Sequence, residues 1–272
     1  MKTDQLEELF QLRGKTAFIS GGASVLGREA ACILAAAGAN IAVSSRQLAK
    51  AEALAEEIQT AYSVKTLAIE MDQTSYVQVK AAASKLSEWT PRLDILINNA
   101  GGGSGNSIAR LFERDPKHIA ASIETNLTGV IYCCREMGQL LGDHDGSKII
   151  NIASIAGLIG RDRRMYDAAG MNGQPVDYAA AKAGIIGLTR DLAALLAPKA
   201  ICVNSISPGG FTSAQRNHPP EFVNAYSART PLGRMGKDGI DLRGAFLFLA
   251  SSASDYITGH NLVVDGGFSI WQ

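Results

Sequence analysis

Short runs of β-branched residues recur along this chain, separated by longer alanine- and leucine-rich stretches at helical spacing. No other feature of the sequence restricts the fold as much. "TAFIS" (16–20), "NIAVSS" (40–45), "VKTLAIEMD" (64–72), "LDILINNAG" (93–101), "KIINIAS" (148–154), "AICVNSISPGG" (200–210) and "NLVVDGG" (261–267) read as strands. Helices are expected over 26–37, 48–62, 75–89, 115–141, 177–197 and 238–251. The fourth opens with Asp115 as N-cap and Pro116 at the first helical position. Such alternation dictates an α/β fold, a doubly wound parallel sheet of about seven strands with helices on both faces. No repeat, low-complexity segment or linker divides the chain, so residues 1–272 are expected to form one domain.

Charge narrows the range of partners. Lys plus Arg and Asp plus Glu are 26 each, so the formal net charge is zero. Nucleic acid and anionic membranes both need a basic excess and are not expected as partners. Cys32, Cys133, Cys134 and Cys202 lie inside apolar stretches without metal-ligand spacing, so they read as small buried hydrophobes, with no metal expected. The opening "MKTDQLEELFQLRGK" is acidic and amphipathic, and no apolar run reaches membrane-spanning length. A soluble, cytoplasmic protein is the expectation.

The stretch "FISGGASVLGREAA" (18–31) reads as strand, glycine-rich turn and helix start. Gly21 and Gly27 have the outer spacing of a G-x-x-x-G-x-G loop, which aims backbone amides at a pyrophosphate from the positive end of a helix. Glycines also end strands for purely steric reasons, and this stretch alone leaves both readings open. The second strand then ends "VSSR". Ser45 stands where an NAD site usually carries an acid for the ribose 2′-hydroxyl, and Arg46 follows it. A missing carboxylate beside a guanidinium suits a 2′-phosphate, so NADP(H) is preferred and NAD(H) possible. The alternative is that Arg46 merely begins the next helix on a solvated face.

"YAAAK" sets Tyr178 and Lys182 four residues apart on one helical face. A phenol is a poor acid–base catalyst at neutral pH, and a neighbouring ammonium lowers its pKa toward a useful range. Ser154, Asn98 and Asn99, and Pro208-Gly209 all close strands at what becomes the carboxyl edge of the sheet, where doubly wound folds bind ligands.

In this combination the chain resembles the short-chain dehydrogenase/reductase family from about Gly14 to Gly267. The motifs are "SGGASVLG", Asp72 after the third strand, "NNAG" at 98–101, Asn126 in "ETNLTG", "NIASIAG" with Ser154, "YAAAK", "SPGG" at 207–210 and the closing "VVDGG". The resemblance implies a Rossmann-fold enzyme that moves a hydride between a nicotinamide ring and a carbonyl or secondary alcohol. Tyr178 is the acid–base group, Lys182 lowers its pKa and holds the nicotinamide ribose, Ser154 hydrogen-bonds the substrate oxygen, and Asn126 anchors a water. The implied cofactor contacts begin with Gly21, Ser24, Val25, Leu26 and Gly27 of the glycine turn, then Ser45 and Arg46. Asp72 contacts adenine, with Gln73 beside it, and the backbone of Asn99, Ala100 and Gly101 lines the adenosine side. Tyr178 and Lys182 meet the nicotinamide half, which Pro208, Gly209, Phe211 and Ser213 border. A small-molecule carbonyl or alcohol is the implied substrate. Relatives are usually dimers or tetramers, so a homo-oligomer is implied, with "RGAFLFLASS" and the last strand as a candidate interface.

Two departures from the family pattern set further expectations. Val25 replaces a glycine that lets backbone approach the pyrophosphate. If the position required positive φ, a β-branched residue would be strained there, so weaker or displaced cofactor binding is expected. Second, Ser154 and Tyr178 are 24 residues apart, about twice the family's usual gap. The extra stretch, near 161–176, is expected to face the substrate. Its Arg161, Arg163 and Arg164 suit a carboxylate or phosphate, or simply a solvated charge run. The segment 211–236 is expected to be a mobile lid. The leading functional expectation is an NADP-preferring oxidoreductase acting on a sugar, sugar acid or polyol. A 3-oxoacyl-thioester reductase and, on Val25 alone, a non-catalytic nucleotide sensor are the alternatives.

Overall fold

A computed structural model describes residues 3–102, 108–142, 146–212 and 216–271. The helices are α1 (Thr3–Phe10), α2 (Val25–Ala36), α3 (Leu48–Tyr62), α4 (Tyr76–Trp89), α5 (Pro116–Ile123), α6 (Gly129–Met137), α7 (Arg164–Ala168), α8 (Val176–Leu196), α9 (Pro220–Ala228) and α10 (Arg243–Ala250). The strands are β1 (Thr16–Ser20), β2 (Asn40–Ser45), β3 (Thr66–Glu70), β4 (Ile95–Asn98), β5 (Ser147–Ile152), β6 (Ile201–Pro208), β7 (Phe211–Thr212), β8 (Gly236–Lys237) and β9 (Asn261–Val264). Seven of them form one parallel sheet in the order β3-β2-β1-β4-β5-β6-β9, while β7 and β8 pair separately. This is the doubly wound, Rossmann-like arrangement.

Alternation along each strand explains why both faces must be covered. Ala17 and Ile19 of β1 join Ile41, Val43, Ile95 and Ile97 in a core beneath α2, α3 and α10. Phe18 of the same strand points the other way, into a second core with Leu96, Ile149 and Val203 against α4, α6 and α8. A strand apolar on both faces is stable only between two helical layers. Local sequence sets the helix starts. The Ser24 hydroxyl accepts the Gly27 amide at 3.2 Å, and the Asp115 carboxylate accepts the Lys117 amide at 2.8 Å with Pro116 behind it.

Two expected elements differ. The long helix over 115–141 is interrupted between α5 and α6 by a π-helical turn, Glu124–Thr128. Within it Asn126 is buried, and its Nδ2 donates to the carbonyls of Gly102 and Ser122, both at 3.0 Å. Gly129 then lies so close to Gln73 that a Cβ would sit 2.8 Å from the Gln73 carbonyl oxygen. The helix expected over 238–251 starts only at Arg243, because Gly239 is left-handed at φ 79° and Gly236–Lys237 pairs with Phe211–Thr212. The proposed interface segment is partly used inside the chain: Phe246, Leu249 and Ala250 of α10 are core residues, and β9 forms one edge of the sheet.

Candidate active site

The sheet order reverses direction between β1 and β4, where the loops leaving the two strands diverge and open a crevice. There a cavity of about 830 Å³ is lined by residues following β1 (Ser24, Val25, Leu26), β4 (Asn99, Gly101), β5 (Ser154) and β6 (Pro208, Gly209). Tyr178 and Lys182 reach it from α8. The stretch from Arg161 to Gln174 and helix α9 close the far side.

The glycine turn is stitched from both sides. Asn99 Nδ2 donates to the carbonyl oxygens of Ser20 (3.0 Å) and Gly21 (2.9 Å) and to Ser24 Oγ (3.1 Å). The Ser20 hydroxyl accepts the amides of Asn99 and Ala100. Gly21 has φ 62°, and a Cβ there would lie 2.8 Å from Ala100 Cα. At Gly27 a Cβ would lie 2.4 Å from the Gly21 carbonyl oxygen. Only glycine fits either position. Val25 does not bear out the strain expectation. It is the first residue of α2, directly after the Ser24 cap, and it has no positive φ. The helix thus starts one residue earlier than expected, and a β-branched side chain is compatible with that first turn.

The remaining expected cofactor residues divide. Ser45 ends β2 with its hydroxyl accepting the Gln47 amide, and Arg46 beyond it is exposed, with no ion pair among the described residues. Asp72 Oδ1 is engaged by the Thr74 amide and hydroxyl. Gln73 turns its side chain inward, its Nε2 donating to the carbonyls of Ala100 (2.9 Å) and Thr125 (2.6 Å), while its Oε1 is buried and receives no hydrogen bond among the described residues. The Phe211 ring is buried beneath Gly236 and exposes little of itself to the cavity. Ser213 lies outside the described residues.

At the reacting end Ser154 and Tyr178 line the same cavity, and the Ser154 hydroxyl accepts the Ala156 amide at 3.1 Å. Lys182 is 4% exposed; its Nζ donates to the Ile152 carbonyl at 2.7 Å and lies 5.7 Å from the centre of the Tyr178 ring. Burial lowers the Lys182 pKa from its ordinary 10.5 to about 8. Burial also pushes the Tyr178 phenol above its ordinary value, opposed by the Ser154 hydroxyl and by the charges of Arg161 and Arg216. The expected influence of Lys182 on the phenol's pKa is thus joined by others. Desolvation is the larger influence, and the opposing cations include one from the insertion.

Two features escaped the sequence reading. Arg114 binds Asp177 through Nε (2.7 Å) and Nη2 (3.0 Å), both side chains almost wholly buried, next to Tyr178 in the chain. Nothing local to either residue announces a contact across 63 positions. The second is a run of rings from Tyr166 to Phe222, Tyr226 and Phe268, which joins the insertion to α9.

A glycine-lined crevice at a sheet switch point, with a tyrosine, lysine and serine at one end, defines a nucleotide-dependent oxidoreductase of the α/β class. Residues 21–269 match the family model described as Enoyl-(Acyl carrier protein) reductase. The chain is 35% identical over 256 residues to the 3-oxoacyl-[acyl-carrier-protein] reductase FabG of Staphylococcus aureus, covering 93% of this chain and 97% of that protein. It is 30% identical to galactitol 2-dehydrogenase (L-tagatose-forming) of Cereibacter sphaeroides, covering 97% and 98%. A short-chain type dehydrogenase/reductase from Mycobacterium marinum superposes with a TM-score of 0.85 at 31% identity, covering 97% and 98%. A candidate gluconate dehydrogenase from Agrobacterium tumefaciens gives a TM-score of 0.85 at 32% identity, covering 96% and 98%. The chain belongs to the short-chain dehydrogenase/reductase family and is an oxidoreductase. The family works with NAD(P), and the glycine turn, whose space no Cβ could share, fits such a group. No helix among the described residues is long and apolar enough to cross a membrane.

Proposed function

We propose that this enzyme moves a hydride between NADP(H), used in preference to NAD(H), and the carbonyl or secondary alcohol of a sugar, sugar acid or polyol. The observation that carries the reading is the convergence of Ser154, Tyr178 and Lys182 in a cavity whose outer wall bears Arg161, Asn172 and Gln174. The turn from Gly21 to Gly27 and the first amides of α2 would hold the pyrophosphate. Ser45 and Arg46 would hold the 2′-phosphate, and Asp72 the adenine. When bound, the nicotinamide ring supplies or accepts the hydride.

The chain's own residues handle the proton. Because burial raises its pKa, Tyr178 is protonated at neutral pH and can donate its proton to the carbonyl oxygen as negative charge develops there. Ser154 donates a hydrogen bond to the same oxygen, which fixes its place beside the phenol. Lys182, anchored on the Ile152 carbonyl, offers its remaining protons to the nicotinamide ribose and stabilises the phenolate left behind. Asn126, whose side chain is held by Gly102 and Ser122, would anchor a water that returns the proton.

The likeness to FabG supports a 3-oxoacyl-thioester substrate as well as the likeness to galactitol 2-dehydrogenase supports a sugar type. The outer wall mixes Arg161, Asn172 and Gln174 with Met165, Tyr166, Met171 and Phe222, and its polar members support the second. The sensor alternative loses its only motive, since Val25 is unstrained. The proposal includes the 161–176 segment as a substrate-facing wall, the 211–236 segment as a lid, and a homodimer or homotetramer in the cytoplasm. Light scattering checks the assembly. The reaction is tested by following NADPH absorbance with ketoses, keto acids and acyl thioesters. Tyr178→Phe is expected to lose roughly 10²–10⁴-fold in kcat while still binding NADPH; undiminished turnover would overturn the mechanism.

A further inference from the structure

The insertion carries three arginines, and the structure gives them different surroundings. Arg163 is exposed and donates to the Gln174 carbonyl at 3.0 Å. Arg164 is exposed and grips Asp162 with Nε at 2.9 Å and Nη2 at 2.7 Å. Arg161 turns into the cavity instead. Its guanidinium carbon lies 5.9 Å from the centre of the Tyr178 ring, with the Gln174 carbonyl 3.5 Å from Nη2 and Tyr166 alongside.

Arg161 forms no ion pair among the described residues, and its sequence neighbour Asp162 is already held by Arg164 and Arg229. The other cation on this wall, Arg216, is neutralised by Asp238, at 2.6 Å from Nε and 3.2 Å from Nη2. Desolvation holds the Arg161 pKa below its ordinary value, the mark of a charge partly removed from water without a counter-ion. Arg161 is half-buried, and a partly desolvated charge is costly until something of opposite sign meets it. A second observation concerns Gln174, which lines the same cavity: its Oε1 is buried and receives no hydrogen bond. That acceptor is closed off from water where it stands, so a substrate hydroxyl reaches it when the Gln174 amide turns toward the cavity that the residue lines.

We propose that Arg161 and Gln174 form a substrate subsite in which the guanidinium fork pairs with a carboxylate and the amide oxygen accepts a hydroxyl. The substrate class is then a polyhydroxy keto acid or its alcohol. This deepens the sugar-type reading above and rests on it. An uncharged polyol leaves Arg161 without a counter-ion. A 3-oxoacyl thioester carries no anion within a few bonds of its reacting carbonyl, so it leaves the same charge unmatched.

The test is steady-state reduction at saturating NADPH of 5-keto-D-gluconate, D-fructose, D-fructose 6-phosphate and an acetoacetyl thioester. The enzymes compared are the wild type, Arg161→Gln, Arg161→Lys and Gln174→Ala, with NADPH fluorescence titration showing that each variant still binds cofactor. The keto acid is expected to be the best of the four substrates. A hydrogen-bonded charge contributes about 1.5–3 kcal/mol, so Arg161→Gln should raise its KM roughly 10- to 100-fold. Arg161→Lys should restore part of that loss, Gln174→Ala should give a smaller rise, and fructose should change little in any variant. Equal losses on charged and uncharged substrates would overturn the subsite, as would a preference for the phosphate over the carboxylate. An acetoacetyl thioester reduced faster than the keto acid, at a rate indifferent to Arg161, would also overturn it, leaving the redox assignment standing. No NADPH consumption in any arm would instead count against the sugar-type reading itself.

Discussion

Lys182 shows what burial does to one side chain. Its ammonium is desolvated, is held by the Ile152 carbonyl, and has a pKa lowered to about 8. Below that pH it is cationic and can stabilise the Tyr178 phenolate; above it the charge is lost. The pH profile of kcat/KM, which reports the free enzyme, should therefore fall on the alkaline side near pH 8. Lys182→Arg should move that limb to higher pH, since a guanidinium keeps its proton, even if the maximal rate drops. An unmoved limb would assign it to another group. Val25 carries the opposite lesson. As the first residue of α2 it has no positive φ to relieve, so Val25→Gly should leave NADPH affinity within a few-fold of the wild type. A clear tightening in the fluorescence titration would show that the side chain itself crowds the cofactor. Both residues were legible as candidates, yet their roles depend on solvent exposure and backbone geometry, which residue identity does not state.

The elements divide in the same way. Strands β1 to β6 and helices α2 to α4 and α8 lie close to where periodicity places them, because their apolar pattern and caps are local. The π turn between α5 and α6 was hidden, since it comes from packing Asn126 and Gly129 against Gly102 and Gln73. Helix α8 has no side-chain N-cap, and its first turn is pinned by the buried Arg114–Asp177 pair. Removing one partner of a buried pair leaves a charge uncompensated, so Arg114→Ala should cost about 3–5 kcal/mol in thermal or denaturant unfolding. It should also reduce kcat, because Asp177 adjoins Tyr178. The double variant Arg114→Met with Asp177→Leu should recover most of the stability, and a single-variant loss below ~1 kcal/mol would mark the pair as dispensable.

At the scale of the molecule, parallel order brings segments far apart in sequence to one edge. The loops after β1, β4, β5 and β6 meet there, and the insertion reaches them through the Tyr166–Phe222–Tyr226–Phe268 contacts. The Gly210 amide donates to the Tyr226 hydroxyl, tying the loop after β6 to α9 on the same side. Sequence alone determined the class of fold and the glycine turn and set Tyr178 and Lys182 on one helical face, while the family resemblance added Ser154 as a candidate beside them. The fold, the turn and the Tyr178–Lys182 pairing follow from local propensity and from spacing within one helix or one turn. The three arginines of the insertion read alike until the chain is folded. Only tertiary structure decided that Arg161 would be half-buried beside Tyr178 while Arg164 found Asp162 at the surface. Desolvation and ion pairing depend on neighbours that the order of residues does not specify.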